Sequence, residues 1–215
     1  MILRRPLPIA SALLVAAALW FGSMAAATPV RAGAHENAKA FVNSVIEIGV
    51  RQLTGKDLSE AERHKRFLEF LYKYADSPNV EQSLVGHYWD KATPEQRDAY
   101  RKLLEDYLTM SYASGLTDYG PKEHIDVLAV EDRDGRTIVH TLDIDPASPP
   151  PSRVDWVLVT RADGFRVADV IFEGVSAVSM LRDGFTGTIR NAGGNFEALL
   201  TAMKAKIASY KTEHK

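Results

Sequence analysis

Residues 152–172 read Ser-Arg-Val-Asp-Trp-Val-Leu-Val-Thr-Arg-Ala-Asp-Gly-Phe-Arg-Val-Ala-Asp-Val-Ile-Phe. Two runs rich in Val, Ile and aromatic residues, 153–160 and 165–172, flank Asp163-Gly164, a dipeptide that favours a tight reversal of the chain. The segment therefore predicts a β-hairpin. Just upstream the pattern repeats: His124 to Glu131 and Arg136 to Ile144 are strand-like, with Asp134-Gly135 between them. Four consecutive strands with short or loop connections predict an antiparallel meander. The connection between the two hairpins, Asp145-Pro146-Ala147-Ser148-Pro149-Pro150-Pro151, reads as a stiff loop.

On either side the apolar period changes to that of helices. From His35 to Leu53, Phe41, Val42, Val45, Ile46 and Ile48 recur at three- and four-residue spacing. Ser59 followed by Glu62 signals the start of a second helix that carries Phe67, Leu68, Phe70 and Leu71. A short third helix is expected from about Pro78 to His87. Thr93, Pro94 and Gln96 form a complete start signal for a fourth, whose apolar face holds Tyr100, Leu103, Leu104, Tyr107 and Leu108 and which should end near Gly115 to Gly120. After the strands, Ser176 can cap a helix through Met180, Leu181, Phe185 and Ile189. Gly193-Gly194 breaks it, and Asn195 can cap a last helix with Phe196, Leu199, Leu200, Met203 and Ile207. The predicted fold class is α+β: a twisted four-stranded antiparallel sheet with N-terminal and C-terminal helices packed on it around an apolar cavity.

The N-terminus predicts export. Arg4 and Arg5 precede an apolar run from Ile9 to Phe21, and small residues follow at Ala25, Ala26 and Ala27 and again at Val30-Arg31-Ala32. Charge, apolar run and small residues in that order are the secretory pattern, with cleavage after Ala27 or Ala32, Ala32 being preferred. The run is shorter than the roughly 20 residues a spanning helix needs. The expected organisation is a signal peptide over 1–32 and a single domain over 33–215, helical to 120, sheet over 121–173 and helical from 174. The whole chain has 26 Lys and Arg against 28 Asp and Glu, and residues 1–32 hold three arginines and no acid. The processed chain is thus the more acidic, which argues against wrapping nucleic acid. There are no cysteines, which rules out disulfides, zinc–thiolate sites, a thiol nucleophile and lipoprotein acylation.

A search for chemistry finds no constellation. The six histidines are scattered, without the i, i+4 pairing of a metal site. Asp132-Arg133-Asp134-Gly135 opens like a calcium loop but lacks the remaining ligands, and a hairpin turn explains it better. Gly174-Val175-Ser176 lacks the glycine two residues after the serine that a nucleophile elbow requires, Val178 standing there instead. Asp143, Asp155 and Asp169 lie in strands among apolar neighbours. A carboxylate facing a dry cavity would have a raised pKa and could act as a base, which keeps a periplasmic enzyme on an apolar substrate as the alternative to a binding protein. No cofactor or metal is expected.

Val154-Asp155-Trp156, Phe165-Arg166-Val167-Ala168-Asp169-Val170, Glu173-Gly174-Val175-Ser176, Arg182 through Phe185, and the Gly193-Gly194 break followed by Leu199-Leu200 resemble the C-terminal half of the MlaC-type proteins. These are also called toluene-tolerance or periplasmic phospholipid-binding proteins. The helical N-terminal half fits in order and length. The resemblance implies a monomeric periplasmic shuttle that carries phospholipid between an outer-membrane lipoprotein complex and an inner-membrane ABC transporter. A hopanoid-associated branch of the family makes a polycyclic lipid the other candidate cargo. Each lipid methylene left in water costs about 0.8 kcal/mol, so a carrier must shelter the chains. The residues expected to line such a shelter are Tyr107, Leu108, Leu128, Leu142, Trp156, Leu158, Val167, Ile171, Val175, Met180, Leu181 and Phe185. Trp156 and Leu158 are expected on one face of their strand, and Val167 and Ile171 on one face of the next.

Overall fold

The computed structural model describes residues 29–54, 58–113 and 123–213. The order is α1 (Pro29–Leu53), α2 (Glu60–Tyr74), α3 (Ser77–Val85), α4 (Tyr88–Lys91), α5 (Pro94–Leu108), a π-helical turn (Thr109–Ala113), β1 (His124–Arg133), β2 (Arg136–Ile144), β3 (Ser152–Arg161), β4 (Gly164–Phe172), β5 (Val175–Ser176), α6 (Ala177–Asn191) and α7 (Phe196–Glu213). Residues 1–28 of the expected signal segment, including the Ala27 cleavage point, lie outside the described residues. So does the expected helix end near Gly115 to Gly120. Ala32 falls within α1. Among the described residues, no helix is long and apolar enough to cross a membrane.

The helix starts follow from local hydrogen bonding. At α5, the Thr93 hydroxyl accepts the Gln96 amide at 3.2 Å and the Gln96 side chain accepts the Thr93 amide at 3.1 Å, while Pro94 needs no donor. Ser59 caps α2 through the Glu62 amide, and Ser176 caps α6 through the Ser179 amide. The Asn195 carboxamide accepts the Glu197 amide at the head of α7. The expected third helix stands at Ser77–Val85, stopped by Gly86 at φ 53°, and a further short helix, α4, follows from Tyr88.

The sheet is antiparallel in the order β1-β2-β3-β4-β5, one strand more than expected. Asp134 and Gly135, at φ 51° and 73°, make the mirror-image turn that matches strand twist. Glu173 and Gly174, at φ 48° and 81°, make a second, which adds the two-residue β5. The β3–β4 turn is centred on Ala162-Asp163, one residue before the expected pair, with Gly164 opposite Arg161. Two bulges alter the faces. Val127 pairs with Thr141 and Ala129 with His140, leaving Leu128 as an extra residue in β1. Val157 pairs with Asp169 and Leu158 with Val167, leaving Ala168 extra in β4. Each bulge inverts the in–out alternation beyond it.

Three buried groups hold the molecule together. Helix α1 lays Ala38 and Val42 on the face of the sheet formed by Val139 and Leu158, with Phe41, Trp156, Phe165 and Val167 packed around them. A helical core joins α3 to α7 around Tyr100, whose ring meets Trp89, Phe185 and Phe196 edge-on at centroid distances of 5.9–6.3 Å. Leu53, Phe67, Phe70, Leu71 and Leu108 form the joint between the two. At the end of α2 the chain pairs with the sheet: Ala75 bridges Val167, and the Asp76 amide donates to the Val167 carbonyl at 2.8 Å. The Arg161 guanidinium grips the Asp76 carboxylate with two bonds of 2.9 and 2.6 Å.

Candidate lipid-binding site

Helices α5, α6 and α7 leave an open groove of about 330 Å³ between them. Its walls are Tyr107 from α5, Met180, Leu181, Phe185 and Thr188 from α6, and Leu199, Met203 and Lys206 from α7. Gly184 and Ala202 also line it. A Cβ placed on Gly184 meets no atom within 4 Å, so the glycine leaves open space where other residues would project. Met180 is 54% exposed beside it. The Tyr107 and Phe185 rings meet edge-on at 5.5 Å on the wall.

Behind the groove lies a smaller hollow of about 90 Å³. It is lined by Leu68 and Leu71 of α2, Val80 and Leu84 of α3, Leu104 and Leu108 of α5, and again Leu181. Leu181 thus borders both spaces, and the neighbours Tyr107 and Leu108 face one each. These side chains form the partition. The hollow also meets polar groups at Tyr72, Glu81, Arg101 and Glu105. The Tyr72 hydroxyl donates to Glu105, and burial together with that bond raises the phenol above its ordinary value. Glu81 is likewise raised by burial, against the opposing pull of Arg101.

A third space, of about 560 Å³, is edged by charge: Glu60, Arg63, His64, Asp106 and Lys211 stand around it, with His64 Nε2 3.9 Å from Asp106. Its size is greater and Ala61, Met110, Ile207 and Tyr210 also line it, but bringing the ions that edge it out of water is costly.

Of the residues expected to line a shelter, Tyr107, Leu108, Met180, Leu181 and Phe185 come together at the groove and hollow. Trp156, Leu158 and Val167 do not. They pack against α1, where Leu158 is fully buried, and they line none of these three spaces. Nor do Val167 and Ile171 share a face. The Ala168 bulge sets Val167 beside Leu158 while Ile171 pairs with Asp155 on the opposite side. Leu142 pairs with Arg153, also on that side, and is half-buried. Leu128, displaced by its bulge, and Val175, in the terminal strand, are exposed. The lining residues not foreseen lie chiefly on α7, α3 and α2. Leu199 and Met203 were legible as an apolar stripe, but nothing local tells that α6 stands off from that stripe and leaves a groove.

Two of the three carboxylates proposed for an enzyme, Asp155 and Asp169, have structural tasks. Burial works to raise Asp155, but hydrogen bonds from Arg153 at 2.9 Å and His140 at 2.7 Å prevail and hold it below the usual carboxylate range. A base for apolar chemistry would need the reverse. Asp169 accepts the Ser176 hydroxyl and the Val178 amide, fixing the head of α6 to the sheet. Asp143 is raised by burial, yet it borders none of the three spaces. Asp132, at the supposed calcium loop, bonds His35 Nε2 and the Thr137 hydroxyl, both at 3.0 Å.

Comparison with known proteins agrees with this architecture. A phospholipid-binding protein from Ralstonia solanacearum, solved in complex with a phospholipid, superposes with a TM-score of 0.70 at 18% identity. The match covers 81% of this chain and 99% of that one, which shows a common fold. Residues 39–205 match the MlaC protein family, from the middle of α1 to the last turns of α7, and the chain belongs to that family.

Proposed function

We propose that this protein is a lipid carrier that shelters acyl chains between α5, α6 and α7 and shuttles phospholipid across the periplasm. Family membership and the common fold with a protein that holds a phospholipid support this reading. The observation that carries it is the groove itself: among the described residues, no charged side chain but Lys206 lines it, and its size lies in the range of about 300–1,000 Å³ found for small-molecule sites. Tyr107, Met180, Leu181 and Phe185 make the first contacts with a chain. A second chain enters the hollow once the Leu181 partition moves, with Leu108 on the far side. Trp156, Leu158 and Val167 serve instead as the core that holds α1 to the sheet.

On this reading the donor and acceptor are an outer-membrane lipoprotein complex and an inner-membrane transporter, and the N-terminal 32 residues are an export signal. The lipid undergoes no covalent change, consistent with Asp169 engaged in capping and Asp155 in ion pairing. Solvent extraction and mass spectrometry of the processed protein test the proposal and separate a phospholipid from a hopanoid-like cargo. Ala202→Trp is the matching variant. Ala202 is exposed on the groove wall, so an indole there blocks the space without entering the core. Co-purified lipid is expected in the parent and a loss of at least tenfold in the variant, with unchanged far-UV circular dichroism. A parent that is repeatedly lipid-free and accepts none in vitro overturns the carrier proposal.

A further inference from the structure

Among the described residues, Lys206 is the one charged residue along the groove. It is exposed on α7, one turn beyond Met203, and its ammonium has no ion pair or hydrogen-bond partner among the described residues. The other polar group on the α6 wall is already committed: the Thr188 hydroxyl donates to the Gly184 carbonyl at 2.9 Å within its own helix. A chain lying against Met180, Leu181 and Phe185 therefore has apolar contact along one side and a free cation at the edge. An ammonium so placed can pair with the phosphate of either kind of head, but the attraction is larger for a net negative head, because the cationic group of a zwitterion offsets part of it.

We infer that Lys206 makes the groove selective for amphiphiles with a net negative head, such as phosphatidylglycerol, over zwitterionic ones such as phosphatidylcholine. The inference rests on the carrier reading and names the class of cargo for that same site. The pair forms at a solvated edge, so its effect is modest: an exposed ion pair corresponds to a preference of about two- to fivefold. Salt weakens it, because screening at 0.15 M acts over about 8 Å.

The test is competitive loading. Delipidated full-length processed protein is incubated with mixed vesicles of equal phosphatidylglycerol and phosphatidylcholine, reisolated, and its lipid quantified by mass spectrometry. The parent should take up phosphatidylglycerol in two- to fivefold excess at low salt, with the excess shrinking at 0.5 M NaCl. Lys206→Gln should load the two equally and Lys206→Glu should invert the ratio. Inorganic phosphate should not displace bound lipid, which distinguishes an amphiphile site from a simple anion site. Equal loading by the parent, or a preference that survives in Lys206→Gln, overturns the inference while leaving the carrier reading intact. Failure of the parent to load either lipid overturns both.

Discussion

Asp76 stands where helix meets sheet, and its carboxylate is the point at which the two are tied. Arg161 supplies two hydrogen bonds to it and Asn79 a third of 3.0 Å, so Arg161 above all holds the carboxyl below its ordinary value. A carboxyl depressed in the folded state favours folding above its unfolded pKa of about 3.9, and that contribution disappears as pH falls through the lower, folded value. Asp76→Asn should therefore cost about 1.5–3 kcal/mol at pH 7, the range for hydrogen bonds to a charged group. For a chain of this length each kcal/mol lowers Tm by roughly 2–4 °C. Urea unfolding at pH 7 and again below pH 4 checks both size and sign: the gap between parent and variant should narrow in acid. A gap that widens there would contradict the assignment.

At the scale of elements, α6 shows a conflict between stability and the open groove. Gly184 lies in its interior, where glycine is less favourable than alanine by about 0.5–1 kcal/mol, and no positive φ or close neighbour requires it. Gly184→Ala should stabilise the protein by that amount in a denaturant titration, while Gly184→Leu should fill the groove and reduce retained lipid several-fold. Elements whose signal is local were readable in the sequence: the Thr93–Gln96 capping box and the Asp134-Gly135 turn stand where they were expected, because a few adjacent residues complete their hydrogen bonds or dihedrals. The Ala168 bulge was not readable. Val167-Ala168-Asp169-Val170 departs from strict alternation, but that break does not say which residue is inserted, and only pairing with β3 reveals it. The missed face of Ile171 follows from that single insertion. On the helices, Tyr107, Met180 and Leu181 stand out by composition, whereas Ala202 and Lys206 belong to the same groove only through the packing of α6 and α7 on α5.

The molecule as a whole consists of a helix-covered sheet and a helical body meeting at Leu53, Phe67 and Leu108. Lipid that binds only the folded state stabilises it by mass action, by about 2.7 kcal/mol when free ligand is a hundredfold above its Kd. Reloading a delipidated sample should thus raise Tm by roughly 5–10 °C at that excess. The shift should vanish in Ala202→Trp, and differential scanning calorimetry reads both. On the carrier reading, the Leu181 partition should give uptake an order. A single-tailed amphiphile finds the trench already open and loads in one phase whose rate rises with its concentration. A two-tailed one adds a second phase that concentration does not accelerate, because it waits on the protein to part beside its own α6.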